Sequence, residues 1–290
     1  LTIMIAQLRN NLLMDAQDEY NCSFFNSSVD WSSKGTRQPI FGAICLLSGL
    51  FCIVPYLVCL VIMWRKRSIA CYKIMFFLGV NDVLMLLVVC FFAGAVFITG
   101  GVYCHNPKLN FIVCMLAFVG YFSSCFTCFL IALNRTVEML NIHCLAWIFQ
   151  GNRTWYVLAA PLIYGLFAAL FTPIAFFNSD LHIAHFDPMI SGRFEYVNVI
   201  HVINNSLFPT ASLLLYTIII LKVRATKHKM TSSTFAGNSV NRASLVLSVQ
   251  CGVIVCVHLS TCLGYLALQF MPSSEASRYV VHCAWILLHG

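Results

Sequence analysis

The stretch from residue 71 to residue 99 constrains the fold of this chain more than any other. It reads CYKIMFFLGVNDVLMLLVVCFFAGAVFIT, and it carries an acid, Asp82, near its middle. A helix of roughly 20 apolar residues crosses the hydrocarbon core of a bilayer, which is about 30 Å thick. A carboxylate at that depth costs about 2.5–3.5 kcal/mol, so Asp82 must face other protein or water. The stretch is therefore predicted to be one helix of a membrane-embedded bundle with a polar interior.

The composition of the whole chain indicates a polytopic membrane protein. Of its 290 residues 60% are hydrophobic and 9% are charged, whereas soluble domains are about 45–50% apolar and about 25% charged. The net charge of +7 arises from short basic clusters between apolar runs. Such clusters report topology, so no nucleic-acid partner is predicted and the lipid bilayer is the expected surrounding.

The apolar runs predict an all-α protein, a bundle of seven transmembrane helices. Residues 1–39 form a polar tail, and residues 40–290 form the bundle. Both ends of the chain are expected to be incomplete, because it begins at Leu1 and the seventh run is cut short at Gly290. The predicted spans cover about residues 40–64, 72–99, 109–139, 154–177, 197–221, 243–270 and 279–290.

The distribution of charge predicts an extracellular amino terminus in the plasma membrane. Eleven of the 17 lysines and arginines lie in or beside the loops after spans one, three and five, and eight of the ten acids lie on the other side. Basic residues collect in cytoplasmic loops. The tail also holds two glycosylation sequons, at Asn21 and Asn26, which fits an extracellular position.

Two polar groups inside the bundle are candidate activation switches. Asp82 is either a buried switch, able to bind a cation, or a lone polar residue held by a serine or a backbone carbonyl. Arg135 and Glu138 lie three residues apart on one face of span three. They form either an interfacial ion pair that anchors the helix or a contact with a cytoplasmic partner that changes between two conformations.

The cysteines predict at most one disulfide bond and no metal site. Cys104, at the outer end of span three, has Cys22 in the tail as its only plausible extracellular partner; the alternative is two free thiols. Cys125 and Cys128 have the spacing CxxC, but no second pair and no nearby histidine accompany them in the sequence. A zinc site needs about four such ligands, so metal binding is not expected.

Several residues in the outer halves of the spans are candidates for lining a ligand cavity, because a few polar groups in an apolar cleft suit a small molecule. Two alternatives stay open: aromatic residues near helix ends are often interface belts, and asparagines within spans often hydrogen-bond to other helices. The candidates are Met115, Phe118, His201, Asn204, Asn205, Tyr265, Gln269, His282 and Trp285.

Signals of catalysis are missing from the sequence. It contains no Gly-rich phosphate loop, no HExxH and no GxSxG, which are the motifs of the commonest enzyme sites. Asp82 and Glu138 are too far apart along the bundle to act as a carboxylate pair. The sequence therefore predicts neither an enzyme nor a bound cofactor.

Several motifs in order resemble one receptor family. Leu78 and Asp82 match the LxxxD of helix two in rhodopsin-like receptors, and Asn134-Arg135-Thr136 is similar to their Asp-Arg-Tyr triplet. With the remaining motifs, the chain resembles the nematode serpentine chemoreceptors of class T. The remaining motifs are YNCS at 20–23, CYKIMFFLG at 71–79, ALNR at 132–135, RTW at 153–155, FDP at 186–188 and YVN at 196–198.

The resemblance implies a rhodopsin-like G-protein-coupled receptor that binds a small environmental molecule and signals to a heterotrimeric G protein. Asn134 stands where the triplet has an acid, which leaves Glu138 as the acid near Arg135. Span six has no proline hinge. Two rival interpretations are a small transporter or channel and a truncated, non-signalling remnant of the family.

Overall fold

A computed structural model describes residues 20–22, 30–31, 34–189, 198–230, 238–270 and 274–290, with side chains omitted for 224–245 and 268–270. Within these residues, six helices are long and apolar enough to cross a membrane. A shorter helix, Glu275–His289, follows them and is called the C-terminal helix. The six, called spans one to six, are Pro39–Arg65, Ala70–Thr99, Pro107–Leu140, Arg153–Phe171, Val199–Met230 and Asn238–Phe270.

Span three is the central helix of the bundle. In the most apolar 18-residue stretch of span three 72% of the residues are buried, whereas in that of span one only 11% are buried. Span three contacts spans two, four, five and six, while span one exposes large side chains such as Phe51, which is 82% accessible. Exposed apolar side chains on a membrane helix face lipid, so span one is peripheral and span three forms the axis.

Span two is interrupted by a π-helical turn. The α-helix Ala70–Leu86 continues into a π-helix, Leu87–Phe92, and then into a second α-helix, Ala93–Thr99. The outer segment packs closely on span one: a Cβ atom built on Gly42 would lie 2.5 Å from the backbone oxygen of Gly94. Only small residues let two membrane helices approach so closely.

Span four is shorter than predicted, and a β-hairpin follows it. The predicted span 154–177 is wrong at its end, because the helix ends at Phe171 and Thr172 is extended. A residue before proline is disfavoured in helical geometry, and Pro173 comes next. Strands β1, Phe176–Asn178, and β2, Ile183–His185, then pair antiparallel, so the prediction of a purely helical protein missed this element.

The hairpin and part of the tail close one end of the bundle, which we call the outer end. A disulfide bond joins Cys22 to Cys104. Tyr20 is 3% exposed, its ring packs edge-on against Phe111 and Phe176, and its carbonyl accepts a hydrogen bond from the Tyr103 hydroxyl at 3.4 Å. The tail is thus covalently and sterically tied to the start of span three.

The opposite end, called the inner end, is where spans three and four are connected. Short helices at His143–Ala146 and Trp147–Phe149 connect spans three and four. Lys73 is buried, and its ammonium group donates a 2.6 Å hydrogen bond to the Gly151 carbonyl. The guanidinium of Arg153 lies 5.4 Å from the centre of the Trp147 ring. These contacts order the inner loop by cation–dipole and cation–π attraction.

Candidate functional site

A cavity of about 50 Å³ lies beneath the hairpin, between spans three, five, six and the C-terminal helix. We call it the outer cavity. Its lining is almost entirely apolar and aromatic, which suits a small organic molecule. A water molecule needs roughly 10–15 Å³ on this measure, so an occupant of a few heavy atoms fits without movement of the walls. The lining residues are Cys114, Ala117, Phe118, Tyr121, Ala175, Phe177, Ala184, Phe186, His201, Tyr265 and Trp285.

Four of the predicted ligand-site residues line this cavity. Phe118 stacks on His201 with ring centres 6.4 Å apart, and Tyr265 meets Trp285 edge-on at 5.7 Å. The Tyr265 hydroxyl is buried and has no hydrogen-bond partner among the described residues. A buried donor without a partner costs free energy, so this hydroxyl, on a residue of the cavity wall, is a candidate contact for a polar atom.

Met115 does not line the outer cavity, and its neighbour Cys114 does. Adjacent residues on an α-helix point about 100° apart. The positions that share the cavity face with Phe118 are one helical turn away or adjacent to it, at Cys114, Ala117 and Tyr121. Sequence reasoning missed these three. Helical spacing from Phe118 indicates Cys114 and Tyr121, but it indicates Met115 equally well, because residues three and four apart share a helix face.

The hairpin supplies the residues of the cavity that no sequence pattern indicated. Phe177 stacks on Trp285 with ring centres 5.7 Å apart, and Phe186 meets His201 edge-on at 5.1 Å. Both phenylalanines come from the connection between spans four and five. The ceiling of the cavity is therefore built by a loop segment, as many binding sites are.

Asn204 and Asn205 do not line the cavity, because their amides bond to neighbouring helices. The Asn205 amide oxygen accepts a 2.7 Å hydrogen bond from the Tyr121 hydroxyl. The Asn204 amide nitrogen lies 3.0 Å from the sulfur of Cys125, and the Tyr164 hydroxyl donates to its oxygen at 3.3 Å. For these two residues the structure shows the interhelical hydrogen bonding that was the alternative to ligand contact.

The remaining predicted residues lie apart from the cavity or outside the described part of the chain. His282 is buried among aromatic rings, including that of Phe97 at 5.1 Å. The side chain of Gln269 and all of Asn26 lie outside the described residues. Asn21 is described and partly exposed beside the disulfide bond.

A chain of hydrogen bonds leads from the outer cavity to Asp82. The indole N–H of Trp285 donates to Nε2 of His289 at 3.2 Å. Nδ1 of the same ring lies 2.7 Å from one carboxyl oxygen of Asp82, and the Tyr56 hydroxyl donates to the other oxygen at 2.6 Å. Because Nε2 accepts from the indole, Nδ1 carries the proton that bonds to Asp82. Asp82 is thus a shared acceptor linking span one and the C-terminal helix.

A second cavity, of about 170 Å³, lies beside Asp82 and nearer the inner end. We call it the inner cavity. Tyr56, Asp82, Ser124 and His258 give it polar groups, and apolar side chains of spans two, three and six and of the C-terminal helix complete the wall. The carboxylate of Asp82 therefore borders a cavity as well as its two protein partners.

Arg135 is fully buried at the inner end of span three. Its guanidinium forms an ion pair with Glu138, which is about half exposed, and donates a 2.8 Å hydrogen bond to the side-chain oxygen of Asn134. Two other guanidinium nitrogens, Nε and Nη1, have no partner among the described residues. The candidate switch residues Asn134, Arg135 and Glu138 therefore form one contact group, with donors left over.

Comparison with known proteins agrees with this arrangement. The model of the serpentine type 7TM GPCR chemoreceptor Srt family matches residues 4–290. One relative is a Caenorhabditis elegans protein, Serpentine receptor class T-55, which is 25% identical over 236 residues. The aligned region covers 79% of this chain and 64% of that relative. The family predicted from the motifs is confirmed: this multi-pass membrane protein belongs to the Srt family of serpentine chemoreceptors.

Proposed function

We propose that this protein is a chemosensory receptor whose outer cavity binds a small, largely apolar molecule with one hydrogen-bonding atom. The aromatic lining supplies dispersion and apolar contact. The hydroxyl of Tyr265 supplies the single polar contact that orients the molecule. The proposal also places the receptor in the plasma membrane, with the glycosylated tail outside the cell.

One observation carries this proposal: Trp285 both lines the outer cavity and begins the hydrogen-bonded chain to Asp82. A ligand that packs on the indole in one rotamer favours the conformations compatible with that rotamer. A ligand shifts an equilibrium only by its differential affinity for two states. Moving the indole N–H away from His289 is a discrete change that a ligand can favour or oppose.

The inner end is the proposed contact for a heterotrimeric G protein. Arg135 is buried, and two of its guanidinium nitrogens have no partner among the described residues. The adjoining ends of spans five and six are basic in sequence, with Lys222, Arg224, Lys227, Lys229 and Arg242. A rearrangement that exposes Arg135 gives a partner's carbonyl or carboxylate groups a charge-assisted contact. The ligand supplies the energy difference between the two states, and no covalent step is involved.

The test of ligand binding is a cavity-filling variant. Cells expressing the chain with a promiscuous Gα subunit and a calcium reporter are exposed to a panel of small volatile alcohols, ketones, esters and aromatic compounds. Ala117→Phe fills the outer cavity and should abolish every response at unchanged surface expression. Ala160→Phe adds the same volume at an exposed position of span four, outside the lining, and should keep the responses. Equal behaviour of the two variants would overturn the outer cavity as the binding site.

The test of transmission is Trp285→Phe, which keeps the aromatic wall but removes the N–H that bonds to His289. Ligand binding should change by less than about threefold, while the maximal response falls by at least tenfold. A full response in this variant contradicts transmission through the indole. Current or uptake in cells that lack Gα subunits would instead support the transporter interpretation.

A further inference from the structure

Three side chains that the receptor proposal does not use converge in the core of the bundle. They are Cys125 of span three and His258 and Cys262 of span six, and their sulfur and nitrogen ligand atoms all lie within 4.8 Å of one another. His258 and Cys262 are four residues apart, so they share one face of their helix. All three residues are buried.

The hydrogen bonding of His258 leaves the group unexplained by packing. Neither of its ring nitrogens has a well-aligned hydrogen-bond partner among the described residues, although the two thiols are close. Thiols are weak hydrogen-bond partners, so a buried imidazole with these polar neighbours is poorly satisfied. A metal ion would supply the missing partner, since a neutral imidazole is the commonest metal ligand.

The chemistry of the three ligands selects a thiophilic ion. Thiolate and imidazole ligands suit Zn²⁺ and Cu⁺, whereas Mg²⁺ and Ca²⁺ prefer oxygen. Two thiolates, one neutral imidazole and Zn²⁺ sum to zero charge, which a low-dielectric membrane interior favours over a charged complex. Ligand atoms around a tetrahedral zinc lie about 3.3–3.8 Å apart, and the three ligand atoms here are already within 4.8 Å of one another.

The surroundings support such a site. The amide nitrogen of Asn204 lies 3.0 Å from the sulfur of Cys125 and donates toward it. The Tyr121 hydroxyl lies 3.6 Å from the sulfur of Cys262, bringing an oxygen into the same neighbourhood. Outer contacts of this kind orient the ligands of metal sites. His258 also lines the inner cavity, so the group lies at the wall of that cavity.

From this geometry we infer that Cys125, His258 and Cys262 form a binding site for a thiophilic metal ion, with Zn²⁺ the favoured occupant. Binding releases the protons of the two thiols to solvent. The ion joins span three to span six directly below the outer cavity, and so ties together two helices that have no covalent link there. The site stands independently of the proposed receptor function.

The experiment uses the full chain purified in detergent under a non-thiol reductant and stripped of metal with a chelator. Titration with Zn²⁺, and with Co²⁺ as its spectroscopic substitute, is followed by metal analysis of the desalted protein. One ion per chain is expected, with the thiolate-to-cobalt charge-transfer band and intense tetrahedral d–d bands. The thermal unfolding midpoint should rise with added Zn²⁺, because a ligand of the folded state stabilises it.

Matched variants decide whether these residues bind the ion. Cys262→Ser and His258→Gln should weaken binding at least about a hundredfold, and Asn204→Ala about tenfold. Cys128→Ser changes a buried free cysteine outside the group, so it should bind as the wild type does. A folded, monodisperse wild type that takes up no ion, or binding that survives Cys262→Ser, overturns the site. Preference for Cu⁺ through the same residues supports the site and overturns only the assignment to zinc.

Discussion

The outer and inner halves of the bundle are built on different principles. The outer half holds a small cavity of about 50 Å³ walled by aromatic rings and is fastened by the disulfide between Cys22 and Cys104. The inner half holds a larger cavity of about 170 Å³ bordered by Asp82. It also buries Arg135, two of whose nitrogens lack partners among the described residues.

The difference shows where the molecule can change shape cheaply. Aromatic packing and a cross-link restrict the outer half to few arrangements, which favours selective recognition. The larger cavity of the inner half means that a rearrangement there loses few contacts. It can also give hydrogen-bond partners to the two Arg135 nitrogens that have none among the described residues. A two-state element needs two arrangements of similar energy, and the inner half meets that condition better.

The largest predicted effect tests Asp82, the hydrogen-bond acceptor shared by span one and the C-terminal helix. Asp82→Ala should lower the free energy of unfolding by about 3–5 kcal/mol, because it leaves the Tyr56 hydroxyl and the His289 imidazole buried without their shared acceptor. Thermal unfolding of the purified protein in detergent measures this loss of stability. Asp180→Ala, at an exposed acid of the hairpin turn, should change stability by less than about 0.5 kcal/mol. Similar midpoints for the two variants would remove Asp82 from this role.

The second largest predicted effect tests the disulfide bond of the outer half. Cys22→Ser should cost about 2–4 kcal/mol, since the cross-link no longer restricts the unfolded chain. Cys59→Ser removes an exposed free thiol of span one and should leave the unfolding midpoint unchanged. A thiol label that reacts with both Cys22 and Cys104 in unreduced protein would show that the bond is absent.

A smaller effect, of opposite sign, tests the inner half. Arg135→Met should raise the free energy of unfolding by about 1–2 kcal/mol, because it removes two buried nitrogens that have no partner among the described residues. It should also abolish G-protein activation. Glu138→Gln keeps the arginine and removes its ion-pair partner, so it should lower stability. If both variants are less stable than the wild type, the Arg135 nitrogens without partners do not destabilise the folded protein.

The smallest predicted effect tests the Tyr265 hydroxyl in the wall of the outer cavity. Tyr265→Phe should stabilise the ligand-free protein by about 0.5–1 kcal/mol, since its hydroxyl is buried without a partner among the described residues. Tyr121→Phe removes a hydroxyl that donates to Asn205 and should cost about 1 kcal/mol. A loss of stability in Tyr265→Phe would mean that its hydroxyl is already satisfied.

Hydropathy predicted the helices because it reads a property of single segments. Each of the six spans is apolar over a membrane-crossing length regardless of its neighbours. The end of span four was misplaced because Ile174 to Phe177 are as apolar as the helix before them, and only Pro173 marks the change. Strands of three residues, such as β1, carry too few positions for a periodic pattern.

The site could be predicted only in part, because contacts between distant segments leave no local trace. His289 and Asp82 are 207 residues apart and bond directly, and no pattern along the chain relates them. Likewise, no pattern along the chain relates His258 to Cys125. The two are close in the structure, although no histidine lies near the CxxC pair in the sequence. Span three is buried on most sides, so hydropathy does not reveal that Cys114, rather than Met115, faces the cavity.

The π-helical turn at Leu87–Phe92 has a consequence for comparing receptors of this kind. Relative to an α-helix it acts as one inserted residue, which turns everything beyond it by about 100°. Gly94, which packs against Gly42, lies beyond that offset. If this span is aligned without a gap to an uninterrupted helix, Asp82 is matched with the correct position. Every residue from Ala93 onward is then assigned to the wrong face of the helix.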